Sequence, residues 1–291
     1  ALLSRYFLSI NQKIKTYIPD RKKDGYGPSI SNFGKLIKSG VNIIFTVDCG
    51  TLSFEAVEFA QNKKIDVIVL DHHQSDIKIP KAHAIINPNR HDDTSNLNYL
   101  CAVGVCFMFL IALNKKLRVS YWFKNNNIQE PNILNFLDLV SLGTVCDVVP
   151  LVDLNRAIVK QGLKILKKRN NLGLKTLYDL CKIESQPTTY DLGFKLGPRI
   201  NAGGRVGKSF HGAELLISND PQRAYKIATD LDKSNKERQS IELLLTEKIN
   251  TEVKKYHNKP VIVLSGNNWH EGVIGIIASR IKDKYNKPTI I

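Results

Sequence analysis

Two short apolar runs fix the topology of the first third of the chain. Val41 to Asp48 reads VNIIFTVD and Asp66 to Asp71 reads DVIVLD, each a strand-length stretch that ends in a carboxylate. Between them, residues 53–64 carry Phe54, Val57, Phe59 and Ala60 at helical spacing. Strand, helix, strand at this spacing is a βαβ unit, so the two strands run parallel and are joined by a right-handed crossover. Asp48 and Asp71 then fall at the carboxyl ends of neighbouring strands, the edge at which open α/β sheets hold ligands. Both carboxylates should share one crevice with His72 and His73, which directly follow Asp71.

The rest of the chain extends an α/β reading. Ala84 to Ile86 is a third strand ahead of the turn Asn87-Pro88, and helices are expected over 99–115, 133–142, 154–168 and 172–181. Asn219-Asp220-Pro221 caps a helix that runs almost unbroken to His257. A charged helix roughly 50 Å long serves as a connector between lobes. A strand over 260–264, a helix over 271–285 and a strand over 289–291 start a second, smaller α/β unit. The expected division is therefore 1–218, a connecting helix at 219–258, and 259–291. The opening ALLSRYFLSI is an uncapped helical pattern and KPTII stops on a strand, so the chain is expected to be part of a longer protein.

Composition narrows the partners. Forty-two Lys and Arg against 27 Asp and Glu give a net charge of +15. That favours a phosphate-rich partner, although solvated lysine faces give the same total. The five cysteines are odd in number and form no C-x-x-C, which reads as buried free thiols in a reducing, cytoplasmic compartment. The most apolar window, CAVGVCFMFLIAL at 101–113, is too short to span a bilayer and reads as a core helix.

Three constellations carry chemistry. The first is Asp48, Asp71, His72, His73 and a third carboxylate, Asp147, in GTVCDVVPL. Carboxylate oxygen with imidazole nitrogen suits a divalent transition ion such as manganese better than calcium. Taken singly, each residue is as well explained by a helix cap or a satisfied histidine. The second is GPRINAGGR, where Arg199 and Arg205 are guanidinium forks suited to phosphate and Gly203 and Gly204 admit close backbone approach. On these residues alone it reads as a surface loop. The third is Trp269-His270-Glu271-Gly272 with Arg280: a base-stacking indole and an anion nest, or a packed tryptophan and a surface ion pair. A basic turn, Arg21-Lys22-Lys23 with Tyr26, is a further possible strand contact or a solvated charge run.

Asp71-His72-His73 after a strand, with Thr46-Val47-Asp48-Cys49-Gly50 one βαβ unit earlier, resembles the DHH phosphoesterase superfamily. The ordered blocks IPDRKKDGYGPS, TVDCG, VIVLDHH, AIINPN, LVSLGTVCDVVPL, GPRINAGGR and NWHEGVIGIIASRIKDKYNKP are similar to its single-strand-specific exonuclease branch. The resemblance implies a parallel-sheet DHH domain joined by a long helix to a smaller α/β DHH-associated domain. It implies two Mn²⁺ or Mg²⁺ ions bridged by Asp48, one of them bound by His72 and Asp147. Asp71 is counted with the metal residues and better suited to orienting them, while His73 faces the scissile phosphate. Arg199, Asn201 and Arg205, together with Trp269, His270 and Arg280, are the implied strand and phosphate contacts.

Three features depart from the branch. Its Asp-x-Asp motif, which completes the metal coordination, has no counterpart before Asp20, the last part of the DHH-associated domain with its glycine-rich block is not found after Ile291, and Gly203 stands where alanine is common; the resemblance therefore leaves open that the fragment by itself is inactive. The implied activity is 5′-to-3′ hydrolysis of single-stranded DNA in recombination and repair, by a monomer working with a helicase and a single-strand-binding protein. The rivals are a phosphodiesterase of short oligonucleotides or cyclic dinucleotides, and an inactive strand-binding scaffold.

Overall fold

The computed structural model describes residues 1–20, 24–25, 27–256 and 258–291; Arg21, Lys22, Lys23, Tyr26 and His257 lie outside these, and with them the basic turn and the expected helix end. In chain order the elements are α1 (Leu2–Ser9), α2 (Ile30–Lys38), β1 (Ile43–Val47), α3 (Phe54–Asn62), β2 (Asp66–Leu70), β3 (Ala84–Ile86), α4 (Ala102–Val119), α5 (Trp122–Asn125), α6 (Leu137–Cys146), α7 (Asp153–Lys167) and α8 (Leu172–Leu180). They continue with α9 (Gly197–Ala202), α10 (His211–Ile217), α11 (Pro221–Val253), β4 (Ile262–Val263), α12 (Glu271–Tyr285) and β5 (Thr289–Ile290).

β1, β2 and β3 form a parallel sheet in that order, as the βαβ reading requires. Side chains alternate across it. Ile44, Val67 and Val69 are buried with Phe33, Val57 and Ala60 of α2 and α3 on one face. On the other, Phe45 stacks between Phe7 of α1 and Phe109 of α4, at ring centroid distances of 5.8 and 5.7 Å. Covering both faces is what makes these strands near-continuous apolar runs.

The helices after α4 pack into the large core that this second face shares, with Leu110, Val140, Leu177, Leu192 and Leu215 wholly buried. α11 then joins two cores. Ala224, Ile227, Ala228 and Leu231 belong to the first, and Leu245, Ile249 and Val253 pack with Ile262, Val273 and Ile277 in a second around β4 and α12. Asp220 caps it by accepting from the Gln222 and Arg223 amides, Pro221 opens it, and a 3₁₀ turn at Lys254–Tyr256 follows Val253.

Two expectations are corrected. GPRINAGGR does not form a loop: α9 occupies Gly197–Ala202, directly after a π-helical turn at Asp191–Leu196. Pro198 falls where the π-helical turn gives way to α9, inside one continuous helical run, so its missing amide leaves a gap in that run's hydrogen-bond ladder. The five cysteines are free as expected, but Cys146 is exposed; only Cys101 and Cys106 are buried. Among the described residues no helix is long and apolar enough to cross a membrane.

Asp138, in the first turn of α6, is buried and accepts one hydrogen bond, from the Leu139 amide at 2.7 Å. Burial pushes its carboxyl up to about 6. The folded state therefore holds this proton more tightly than the unfolded chain. Stability is highest below the unfolded value near 4 and falls as pH rises from there through about 6. Asp138→Asn keeps an acceptor and removes the buried charge. It is expected to gain about 2 kcal/mol at pH 8 and nothing at pH 4, measured by denaturant unfolding at both.

Candidate metal centre

The strands end in step. Val47 pairs with Leu70 and Leu70 with Ile86, and the ladder continues one residue further through Asp48 N to Leu70 O (3.0 Å) and Asp71 N to Ile86 O (3.1 Å). The first residues beyond the three strands, Asp48, Asp71 and Asn87, are therefore neighbours along one edge. Asp48 leaves β1 in the left-handed region, at φ +61°. Aspartate is one of the few non-glycine residues that adopts it readily.

Three side chains converge at this edge. His72 Nε2 lies 3.2 Å from Asp48 Oδ1 and 3.5 Å from Asp147 Oδ2. The potential ligand atoms of Asp48, His72 and His73 all fall within 4.8 Å of one another. Asp147 arrives from the end of α6, and the next residue, Val148, is held at φ +59°, an outlier for a β-branched side chain. Contact with Asp48 raises the His72 imidazole, and burial raises Asp147. Two carboxylates thus share a proton-hungry imidazole at a place where a cation would relieve all three. Neighbouring oxygen and nitrogen donors of one small divalent ion lie roughly 3 Å apart, so the two His72 Nε2 contacts have the spacing of donors to one such ion.

Asp71 is placed differently. It is 1% exposed, and its two oxygens accept from Thr51 N (3.1 Å), Thr51 Oγ1 (2.7 Å), His72 N (2.8 Å), His73 N (3.3 Å) and His73 Nδ1 (2.7 Å). Burial works against its charge, yet the donors from Thr51, His73 and His72 together hold the carboxyl below its usual range. A carboxylate in that state accepts from Nδ1–H, which orients the His73 ring and turns Nε2 outward.

Three residues in this network carry no mark in the sequence reading. Asn87 Nδ2 donates to Thr51 Oγ1 and to the His73 carbonyl, both at 2.9 Å, and its Oδ1 accepts from the Asn89 amide at 2.8 Å. Asn89 Nδ2 donates to the His72 carbonyl. Thr51 follows Gly50, whose φ of +113° turns the chain from β1 under Asp71. The available signal was the block AIINPN, which places Asn87 at the same strand edge as Asp48 and Asp71.

The other expected site residues are held in a second network. Arg199 Nε donates to Asp232 of α11 and its Nη1 to the Lys195 carbonyl, each at 2.8 Å. Asn201 is exposed. Arg205 Nη1 donates to the Gly272 carbonyl at 2.9 Å, tying the end of this segment to the first turn of α12. His270 caps α12, its Nδ1 accepting from the Gly272 amide at 3.1 Å. Trp269 packs against the second core and over Gly266, where a Cβ would lie 2.2 Å from the indole, so the ring is a packing element and not an open stacking face. Arg280 pairs with the buried Glu242 of α11, which also binds Arg238.

Residues 1–144 match the DHH family, N-terminal domain. The chain is also similar to RecJ. It is 38% identical over 289 residues to the single-stranded-DNA-specific exonuclease RecJ of Dickeya dadantii, covering 96% of this chain and 50% of the relative. The Escherichia coli RecJ is 39% identical over 282 residues, covering 94% and 48%. A crystal structure of exonuclease RecJ bound to manganese superposes with a TM-score of 0.86 at 28% identity, covering 99% of this chain and 70% of that one. A Thermus thermophilus RecJ in complex with Mn²⁺ gives 0.83 at 26% identity, covering 99% and 40%. The chain spans about half the length of these two curated relatives.

Proposed function

We propose that this chain is the catalytic portion of a metal-dependent exonuclease that removes nucleotides from the 5′ end of single-stranded DNA, acting in recombination and repair. The observation that carries this is the convergence of Asp48 and Asp147 on His72 Nε2 at the carboxyl edge of a RecJ-like sheet. The donor set fits Mn²⁺ or Mg²⁺, and Asp48, His72 and Asp147 are the residues that would hold the metal. Such ions supply positive charge against the phosphoryl oxygens and acidify a water near neutral pH.

The chain's own groups do the rest. Asp71 holds the His73 ring through Nδ1, so that Nε2 is presented to the scissile phosphate. In this reading Asp71 supports the centre and is not a ligand, because its oxygens already accept from five donors. Arg199 and Arg205, with Asn201 between them, direct positive charge toward the strand, with Arg199 oriented by Asp232. His270, Trp269 and Arg280 act by shaping the second unit around α12. The division at 1–218, 219–258 and 259–291 follows the two cores that α11 joins. The setting is the cytoplasm, the form a monomer, and the partners a helicase and a single-strand-binding protein.

The test is nucleotide release from 5′-phosphorylated and 3′-phosphorylated single strands with Mn²⁺. Release from the 5′ end is expected, with strand affinity falling steeply as salt rises. Binding without cleavage would make the inactive scaffold the better account. Neither binding nor cleavage would remove the nucleic-acid reading altogether.

The Asn87 amide gives a further expectation. Asn87→Ala leaves Thr51 and the His73 carbonyl short of a donor and frees the turn that carries both imidazoles. Mn²⁺ affinity is expected to fall about 10–100-fold, the usual cost of losing a residue that orients a ligand. The free-ion paramagnetic resonance signal during Mn²⁺ titration measures it without reference to activity.

A further inference from the structure

The π-helical turn before α9 carries a feature that the metal centre does not use. Tyr190 and Phe194 are 62% and 70% exposed, and their rings stack on one another with centroids 4.9 Å apart and planes tilted by 26°. Single exposed aromatics are ordinary on protein surfaces. Two stacked rings facing water, side by side on a rigid element, are not explained by packing.

The backbone explains the pairing. The helical run spans 189–202 without a break, and its middle is π-helical. Wider turns bring residues four apart almost into eclipse, and such turns concentrate at functional sites. The opposite face is fixed: Leu192 and Leu196 are fully buried, the Leu192 carbonyl accepts from Cys146 Sγ at 3.5 Å, and a Cβ on Gly197 would lie 2.4 Å from that sulfur. Cys146 is the last residue of α6, and Asp147 follows it. The rod bearing the rings is thus locked to the turn that delivers a carboxylate to the centre. Asn201, also exposed, follows Phe194 on the same side, roughly 10 Å along the axis.

We propose that Tyr190 and Phe194 form a stacking subsite for unpaired nucleobases of the strand that is cut at the Asp48 centre. The inference rests on the nucleic-acid reading above and extends it to where the bases sit. Each ring keeps one outer face on which a base can extend the stack, and every base has such a face, so the subsite is indifferent to sequence. A positively charged chain attracts the phosphates, and the ring pair supplies what a backbone-only contact lacks.

The test is fluorescence anisotropy of a thymidine 20-mer and an abasic 20-mer, without divalent ions so that nothing is cut. The protein is expected to bind the thymidine strand more tightly than the abasic one. The exposed double variant Tyr190→Leu/Phe194→Leu should lose about tenfold on thymidine and nothing on the abasic strand. Phe194→Trp should keep the preference, and its added indole emission should be quenched by the thymidine strand alone. Retention of the preference in the double leucine variant overturns the subsite, as does an equal loss on both strands. Equal binding of the two strands by the unaltered protein overturns the subsite while the nucleic-acid reading stands. Binding of neither overturns both.

Discussion

Asp48→Asn is expected to abolish high-affinity Mn²⁺ binding and to lower nucleotide release by at least about a thousandfold. Removing a ligand of a catalytic ion forfeits several kcal/mol of charge stabilisation, and each 1.4 kcal/mol is tenfold. Asparagine is the informative replacement because Asp48 sits at φ +61°, a region that asparagine also tolerates. The strand end and the Asp48 N to Leu70 O bond should survive, so the charge is removed with little backbone strain. Asp48→Ala should match it in metal binding and pay an additional 1 kcal/mol or so of stability for an alanine in the left-handed region. Without metal, Asp48→Asn also removes the charge that raises the His72 imidazole, so the stability it gives up is expected at acidic pH, where that ring is protonated, and to fade as pH rises. Unaltered Mn²⁺ titration of Asp48→Asn would show that the ion, if bound, sits elsewhere.

The parts of this centre that were legible in the sequence are those set by local pattern. β2 and β3 begin and end where their apolar runs do, and β1 is shorter than its run only at the exposed start. Once the crossover is right-handed and parallel, Asp48 and Asp71 have nowhere to go but the same edge. Thr51, Asn87 and Asn89 were illegible for a nonlocal reason. Their hydrogen bonds exist only because three strands end in step, and register is a property of the assembled sheet. GPRINAGGR misled because glycine and proline weigh toward loops in isolation, whereas here the glycines admit close neighbours. A Cβ on Gly197 would strike Cys146, and one on Gly203 would lie 2.8 Å from the Lys208 carbonyl. Trp269 was open between a stacking face and a packed ring, and what favours packing is Gly266, three residues earlier, which gives the indole a surface to lie on.

Gly50→Ala is expected to be the most damaging single methyl in the centre, with a loss of about 3 kcal/mol and roughly 10 °C in melting temperature. Two causes combine. At φ +113° the backbone is in territory that L-residues rarely enter, and the new Cβ would lie 2.4 Å from Thr46 Oγ1 and 3.3 Å from Val69 Cγ1. Neither neighbour can retreat, since Thr46 and Val69 are buried between β1, β2 and α3. The damage should spread to the metal, because Thr51 is the next residue and supplies two of the five donors that hold Asp71. Thr46→Ala separates the causes. The Thr46 hydroxyl is buried without a hydrogen-bond partner, so its removal alone should be nearly neutral. Combined with Gly50→Ala, it removes the closest contact and leaves the dihedral strain. The double variant should recover about half of the lost stability in denaturant unfolding. Full recovery would mean that the turn tolerates alanine and that glycine is required only for space. No recovery would mean that the backbone angle alone demands it, and Mn²⁺ affinity should then stay low in both variants.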